Sequence, residues 1–595
     1  MLSALKKGFS KFPDMGAVIA RFPLPVVFMA VFTVILMIEG SIKDEHMARV
    51  LGGIVIVAYL SVSAVLAAES RGRKPSALLQ IGLFAVIVPL AWFSKQLHLN
   101  IPMAIGAAVL LLGNAVIWRQ SRNDLHVWDF THKLWTGAGF ALAGSIIYTW
   151  GMFAIMAALR SLFDVKIDDV MQHLLLPLGL GFLAPLYWLA SLPPVDEDYS
   201  ELYENPGFVS KAVTFMGTWL LSPLTLIYAL ILLAYGLKII IAGELPNGEI
   251  AQLTSPFLIV GTLTWLALEP PFSSKNKLAQ MFRKLWWPVS IPAALLLAVA
   301  VFVRIGEYGF TPDRFALLAL IIWALGLALW FTFAPMAKRD IRLIPGAAAV
   351  LLTLGAVGSG GLSLVNQGAR FESNLSAAVT VSQDGQVTDI KDMTAARRAK
   401  GALNYLMRHT GEGRVKRALK AASISFDGDE FSFANVQKTL AFENVVLPNR
   451  YSNHNSINYS NPEKLISVAG FDNLYGPFNI YPNSIRNRYD INSKDFTLSS
   501  NGPLLLFKLG DETFTFDFKD WKAKQNFAKN PSERQTMQVS IETPYIQLLD
   551  TPERKVTLFI EGFNSWDSFG GHGSDDMNLS ANFYVLTQGL DKTPL

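Results

Sequence analysis

The chain contains no cysteine, and charged residues occupy only 16% of its 595 positions. The first absence excludes a disulfide framework, thiolate metal sites and a cysteine nucleophile. The second lies well below the roughly 25% charge of an ordinary soluble domain. With 51% hydrophobic residues and a mean hydropathy of +0.33, the apolar excess calls for lipid as a second solvent. A strong charge of either sign is also missing. The net charge is +4 and the basic residues are spread along the chain, which argues against nucleic acid as a partner. No Walker loop, nucleophile elbow or HExxH motif is present.

What is present divides near Ser363. Twelve of the fourteen tryptophans and nearly every long apolar run precede it. A bilayer core needs about 20 apolar residues per helix. On that criterion eleven spans are expected, at about 22–40, 47–68, 76–94, 101–118, 133–159, 170–191, 212–241, 251–268, 287–305, 313–334 and 342–360. Pro223 is expected to break the seventh. Residues 1–21, with Leu2, Leu5, Phe9 and Phe12 among Lys6, Lys7 and Lys11, have the spacing of an amphipathic segment on the cytoplasmic leaflet, or of a frayed basic tail. The first apolar run ends in Glu39-Gly40-Ser41 without a small-x-small cleavage site and reads as an uncleaved helix.

Positive residues are retained on the cytoplasmic side of a membrane. With the N-terminus inside, the inner connections carry 18 Lys and Arg and the outer ones 8, so the C-terminal region is expected outside. From 364 onward the chain holds 25 basic and 26 acidic residues. Asp392 to His409 reads as a helix, Leu504–Leu509 and Phe514–Phe518 as a hairpin across Gly510-Asp511, and 536–542, 555–561 and 582–587 as further strands. The Asn-, Ser-, Tyr- and Pro-rich stretch 444–501 reads as loops of an exported, partner-facing surface. The expected fold is therefore an all-α polytopic membrane bundle of about eleven helices over 22–362, followed over 363–595 by a soluble, periplasmic α+β domain that is mainly β.

The run Arg304-Ile305-Gly306-Glu307-Tyr308-Gly309-Phe310-Thr311-Pro312-Asp313-Arg314 resembles the signature of a bacterial membrane-protein family catalogued as domain of unknown function 4153. Tyr235-Gly236-Leu237-Lys238-Ile239, Glu244-Leu245-Pro246-Asn247-Gly248 and the Trp-Trp-Pro at 286–288 fit the same pattern, and the likeness covers roughly 130–360. It implies a polytopic helical envelope protein and no assigned activity. Read from the residues themselves, Lys238, Glu244, Arg304, Glu307, Tyr308 and Arg314 fall at outer helix ends and loops. Together they would make a cationic, hydrogen-bonding rim for a phosphate or carboxylate headgroup. The plainer alternative is that Arg304 pairs with Glu307 or Glu244 to pin a turn, with Gly309 and Thr311-Pro312 capping the next helix.

Weaker candidates are the first outer loop, Lys43-Asp44-Glu45-His46, which suits solvated charge better than a short catalytic site. Gly570-Gly571-His572-Gly573-Ser574-Asp575-Asp576 suits a hairpin tip better than an ion site, and Trp128, His132 and Lys133 suit an interfacial anchor. No metal or cofactor is expected. The functional expectation is a cell-envelope protein of the bacterial inner membrane. It binds or moves an anionic or amphiphilic, including lipid-linked, ligand at the outer leaflet, or scaffolds envelope proteins. A lipid-dependent, glycosyltransferase-like transferase is the first alternative and a secondary transporter the second. The transporter is disfavoured by the near absence of ionisable residues in mid-span of helices one to four and eight to eleven.

Overall fold

The computed structural model describes residues 15–39, 44–116, 124–163, 168–195, 206–242, 249–270, 272–273, 276–335, 339–426, 430–443, 445, 454–460, 466–480, 491–492, 496–501, 504–509, 512–524, 536–538, 544–551, 554–568 and 578–588. The apolar half forms helices α1 (Met15–Arg21), α2 (Pro23–Glu39), α3 (Glu45–Glu69), α4 (Ala77–Trp92), α5 (Ile101–Leu111), α6 (Asp124–Phe163), α7 (Met171–Ala190), α8 (Phe208–Ala242), α9 (Glu249–Ala267), α10 (Lys277–Tyr308), α11 (Pro312–Phe333) and α12 (Leu343–Ala378). Their starts follow the polar residue that precedes each apolar run. Asp44, Ser76, Asn100 and Asn276 each accept a first-turn backbone N–H through a side-chain oxygen.

Among the described residues, eight helices are long and apolar enough to cross a membrane, or nine if α1 and α2, which meet at a 104° bend, form one span. The chain thus has the build of a multi-pass membrane protein. The count of eleven further requires α4 and α5 to cross. At 16 and 11 residues they measure about 24 and 17 Å, short of a ~30 Å hydrocarbon core. Two expectations differ from the structure. Pro223 does not break α8: the helix widens into a π turn over Gly217–Leu221 just ahead of the proline and runs on. The last helix does not stop near 360 but continues to Ala378, through Gly361 and Gly368.

Trp286 lies at the centre of the α8–α11 packing with Trp265, Trp287, Phe282 and Phe331. Its ring passes where only a glycine leaves room, since a Cβ on Gly261 would stand 1.9 Å from it. A second cluster joins Phe22, Leu66, Phe130, Leu134 and Trp188. Helix ends alternate between two ends of this bundle. At one, Arg21 donates to both carboxylate oxygens of Glu69 at 2.9 and 2.8 Å and to the carbonyls of Leu192 and Pro193. At the other, Lys95 pairs with Glu45 at 3.3 Å and the Asn100 N–H donates to the Ala356 carbonyl.

The chain divides into two compact units, Met1–Leu375 with Ala402–Ser423, and Ser376–Gly401 with Ile424–Leu595. After the β1–β2 hairpin (Val379–Val381, Val387–Ile390) come α13 (Met393–Arg408), α14 (Glu412–Ala421) and α15 (Phe433–Thr439). Strands β3 (His454–Ser460), β4 (Asn473–Ile480), β9 (Thr536–Gln538), β10 (Tyr545–Asp550), β11 (Lys555–Ser568) and β12 (Asn578–Gln588) build one sheet of order β4-β12-β11-β3-β9, with β10 also on β11. Strands β5 (Ile491–Asn492), β6 (Phe496–Asn501), β7 (Leu504–Leu509) and β8 (Glu512–Asp517) form a meander that ends in α16 (Phe518–Lys524). The pairing of β7 with β8 and the strands covering 555–561 and 582–587 stand where the alternation placed them, β9 covers the first three residues of the expected 536–542, and 510–511 and 539–542 lie outside the described residues. The stretch expected to be loops holds β3, β4, β5 and β6. Phe516, Phe518, Val556, Leu558, Ile560 and Phe583 are buried together as the core of this unit.

Candidate functional site

The motif 304–314 is the turn between α10 and α11. Gly309 ends α10 at φ +77°, a left-handed conformation that favours glycine, and its N–H donates to the Ile305 carbonyl at 2.9 Å. Thr311, in extended conformation, and Pro312 at the first helical position then start α11, with Asp313 in its first turn. The last carbonyls of a helix lack internal partners. Here they are met from α12, whose Asn366, Gln367 and Arg370 reach across to the turn. The Asn366 Oδ1 accepts the Phe310 N–H at 2.7 Å, and the Gln367 Nε2 donates to the carbonyls of Tyr308 and Phe310 at 3.0 and 3.1 Å. The Arg370 Nη1 donates to the Gly306 carbonyl at 3.0 Å and its Nη2 to that of Glu307 at 2.6 Å. The Arg314 Nη1 donates to the Gly309 carbonyl from within α11, and its guanidinium lies 5.7 Å from the Tyr308 ring centroid. Two cations therefore sit at the negative end of the α10 dipole.

Of the six rim residues expected from sequence, Tyr308 and Arg314 come together, and Arg314 is buried and turned onto the backbone. The Glu307 side chain is exposed, and among the described residues its engaged group is the carbonyl. Arg304 is half-buried one turn before Tyr308 and has no ion pair among the described residues. Lys238 is exposed near the end of α8. Glu244 and the 570–576 loop lie outside the described residues, as do Leu2 to Phe12. The first-loop acids have local partners: Asp44 caps α3, and Glu45 pairs with Arg49 at 3.2 Å and with Lys95.

Sequence reasoning missed the α12 brace and a second set of residues at the same end. The rings of Tyr405 and His409, on and just after α13, lie 4.4 Å apart at a tilt of 36°, and the Tyr405 hydroxyl bonds to Ser363 near Asp313. Thr410 and His98 both take φ +57°, an unusual conformation for a residue other than glycine, and the Thr410 Oγ1 stands 3.5 Å from the His98 Nδ1. The His98 turn closes so tightly on α12 that a Cβ on Gly360 would meet its carbonyl at 2.1 Å. Partial burial holds the His409 imidazole below the ordinary histidine value; neighbouring Arg408 and Lys95 act in the same direction, and Asp313 and Glu45 against it. Burial raises the Tyr405 hydroxyl, with Asp313 adding to it. One signal was available: Asn366-Gln367-x-x-Arg370 continues the period of an apolar helix beyond the point where the composition changes. Among the described residues, no group of three or more His, Asp or Glu side chains stands within reach of one ion.

Residues 24–389 match the family model described as a domain of unknown function, DUF4153. The chain belongs to this family. The match takes in the whole brace as well as the 304–314 turn, and so extends on both sides of the 130–360 likeness. An uncharacterised protein of Pasteurella multocida (strain Pm70) is 22% identical over 381 residues, covering 62% of each chain. The chain thus spans less than two thirds of that relative's length. No solved structure matches.

Proposed function

We propose that this DUF4153 protein works in the bacterial inner membrane, with the 304–314 end of the bundle at the outer leaflet, and that it binds an anionic headgroup there without catalysing a reaction. The observation that supports the reading is a division of labour among cations. Arg314 and Arg370 are committed to backbone carbonyls and hold the turn rigid. Arg304, half-buried on α10 one turn before Tyr308, has no carboxylate partner among the described residues. A guanidinium at the end of an apolar helix needs an anion or water, and a planar two-pronged contact with phosphate or carboxylate satisfies it best. Lys238, exposed at the end of α8, adds charge without fixed geometry. Glu307 and, from the sequence, Glu244 complete the expected rim as candidates for hydrogen bonding. In this reading Tyr308 and Arg314 position the turn rather than touch the ligand.

The test is lipid retention by the purified full chain in native mass spectrometry, alongside its thermal melt. Arg304→Ala is expected to lower retention of anionic lipid by about tenfold with little change in Tm, the scale of one charge-assisted hydrogen bond. Arg304→Lys is expected to fall between, and Arg314→Ala to lower Tm. Unchanged retention in Arg304→Ala together with a lowered Tm would leave Arg304 as architecture and remove the proposal.

A further inference from the structure

We infer that the groove at the opposite end of the bundle, between the start of α8 and the segment leading into α10, holds one phospholipid with an anionic headgroup. The groove has a volume of ≈ 450 Å³ and is lined among others by Lys211, Thr214, Phe215, Trp219, Phe272 and Asn276. That volume lies within the range of small-molecule sites. It suits a headgroup with the start of one acyl chain.

Three features indicate what fills it. Thr214 is 9% exposed, and its hydroxyl has no hydrogen-bond partner. A threonine inside a helix ordinarily donates to the carbonyl one turn back, as Thr262 and Thr264 do in α9 at 2.8 Å. That hydroxyl, its oxygen closed off from solvent, is an unmet donor in the wall of the groove. Lys211 lies three residues earlier on the same face, exposed and without an ion pair among the described residues. It supplies the charge complement to an anionic headgroup. Asn276 spends its Oδ1 on capping α10, where it accepts the Leu278 N–H at 2.8 Å, and among the described residues keeps its amide nitrogen as a donor.

The apolar part of the lining points to an acyl chain. Phe215 and Trp219 are 64% and 58% exposed one turn apart, and Phe272 packs edge-on against Trp128 at 6.1 Å. At this point α8 widens into the π turn of Gly217–Leu221, a distortion that helices frequently carry at functional sites. The groove lies by the first residue of the 32-residue α10, whose last turn carries the 304–314 motif, so the two sites are separated by the length of that helix. This inference does not rest on the headgroup rim at the other end.

The experiment uses the full chain reconstituted in vesicles of phosphatidylethanolamine with phosphatidylglycerol, followed by native mass spectrometry of the released protein and by tryptophan quenching with brominated acyl chains. Wild type is expected to retain one phosphatidylglycerol, and Lys211→Gln to lose about tenfold of the preference for it over phosphatidylethanolamine. Thr214→Val is expected to weaken retention at unchanged Tm, and Trp219→Phe to remove a component of the quenching. Arg304→Ala should leave all of these intact, which separates failure here from failure at the rim. Lys211→Gln and Thr214→Val proteins that melt as wild type yet keep the same lipid in the same proportion would overturn the inference. So would equal quenching by brominated forms of the two lipids.

Discussion

At Gly309 three demands meet: a left-handed φ, the end of α10, and a backbone approach so close that a Cβ would stand 2.5 Å from the Arg370 Cδ. Gly309→Ala must therefore strain the backbone and displace the brace. A loss of about 1–3 kcal/mol in unfolding free energy is expected, measured by denaturant titration in detergent. Gly306→Ala, with open space around its Cβ position, provides the control. His409 gives a pH-dependent counterpart. Partial burial lowers its proton affinity in the folded chain, so the unfolded segment binds protons more readily. The stability it contributes is present above the ordinary histidine value of about 6.5 and is lost as pH falls below that value toward the lowered one. Hydrogen exchange over 402–421 should accelerate across this window, and His409→Asn should flatten the dependence. Acceleration that persists in the variant would remove His409 as its source.

At the scale of elements, α13 can be tested at its cap. The Asp392 Oδ1 accepts the backbone N–H groups of Thr394 and Ala395 at 2.8 and 3.2 Å, so Asp392→Ala should cost about 1 kcal/mol, read from the thermal melt. This helix was legible in the sequence because an acidic start signal precedes a 3.6-residue period. The β7–β8 hairpin was legible because Phe514 and Phe516 alternate with polar residues beyond a Gly-Asp turn. Strands β3 and β4 were not, since Asn, Ser, Tyr and Pro carry no alternation to read; β-bridging to β11 and β12 makes them strands. The turn at 304–314 was legible from its Gly and Thr-Pro punctuation. Its partners were not, for Asn366, Gln367 and Arg370 are about sixty residues away and act on backbone N–H and carbonyl groups, which every sequence possesses. Nor did the sequence show that Arg314, expected at the ligand rim, donates to the backbone of its own turn.

At the scale of the whole molecule, the alternation of helix ends gives the proposal its geometry. Lys95, the 304–314 turn and the Thr410 region gather at one end, and Arg21, Glu69, Leu192 and the groove with Lys211 at the other. In the proposed orientation, which rests on the excess of basic residues expected in one set of connections, the Lys211 end faces the cytoplasm. The absence of cysteine turns this into a clean experiment, because any introduced thiol is the only one in the chain. Lys95, Arg71, Lys284 and Lys420 are all exposed. In intact cells, Lys95→Cys and Lys420→Cys should react with a membrane-impermeant maleimide, whereas Arg71→Cys and Lys284→Cys should react only after permeabilisation. The reverse pattern would invert both sites, placing the braced turn on the cytoplasmic leaflet and the Lys211 groove outside. Labelling of all four in intact cells would instead count against α3 and α10 as crossings, since Arg71 follows the end of α3 and Lys284 lies in the first turns of α10.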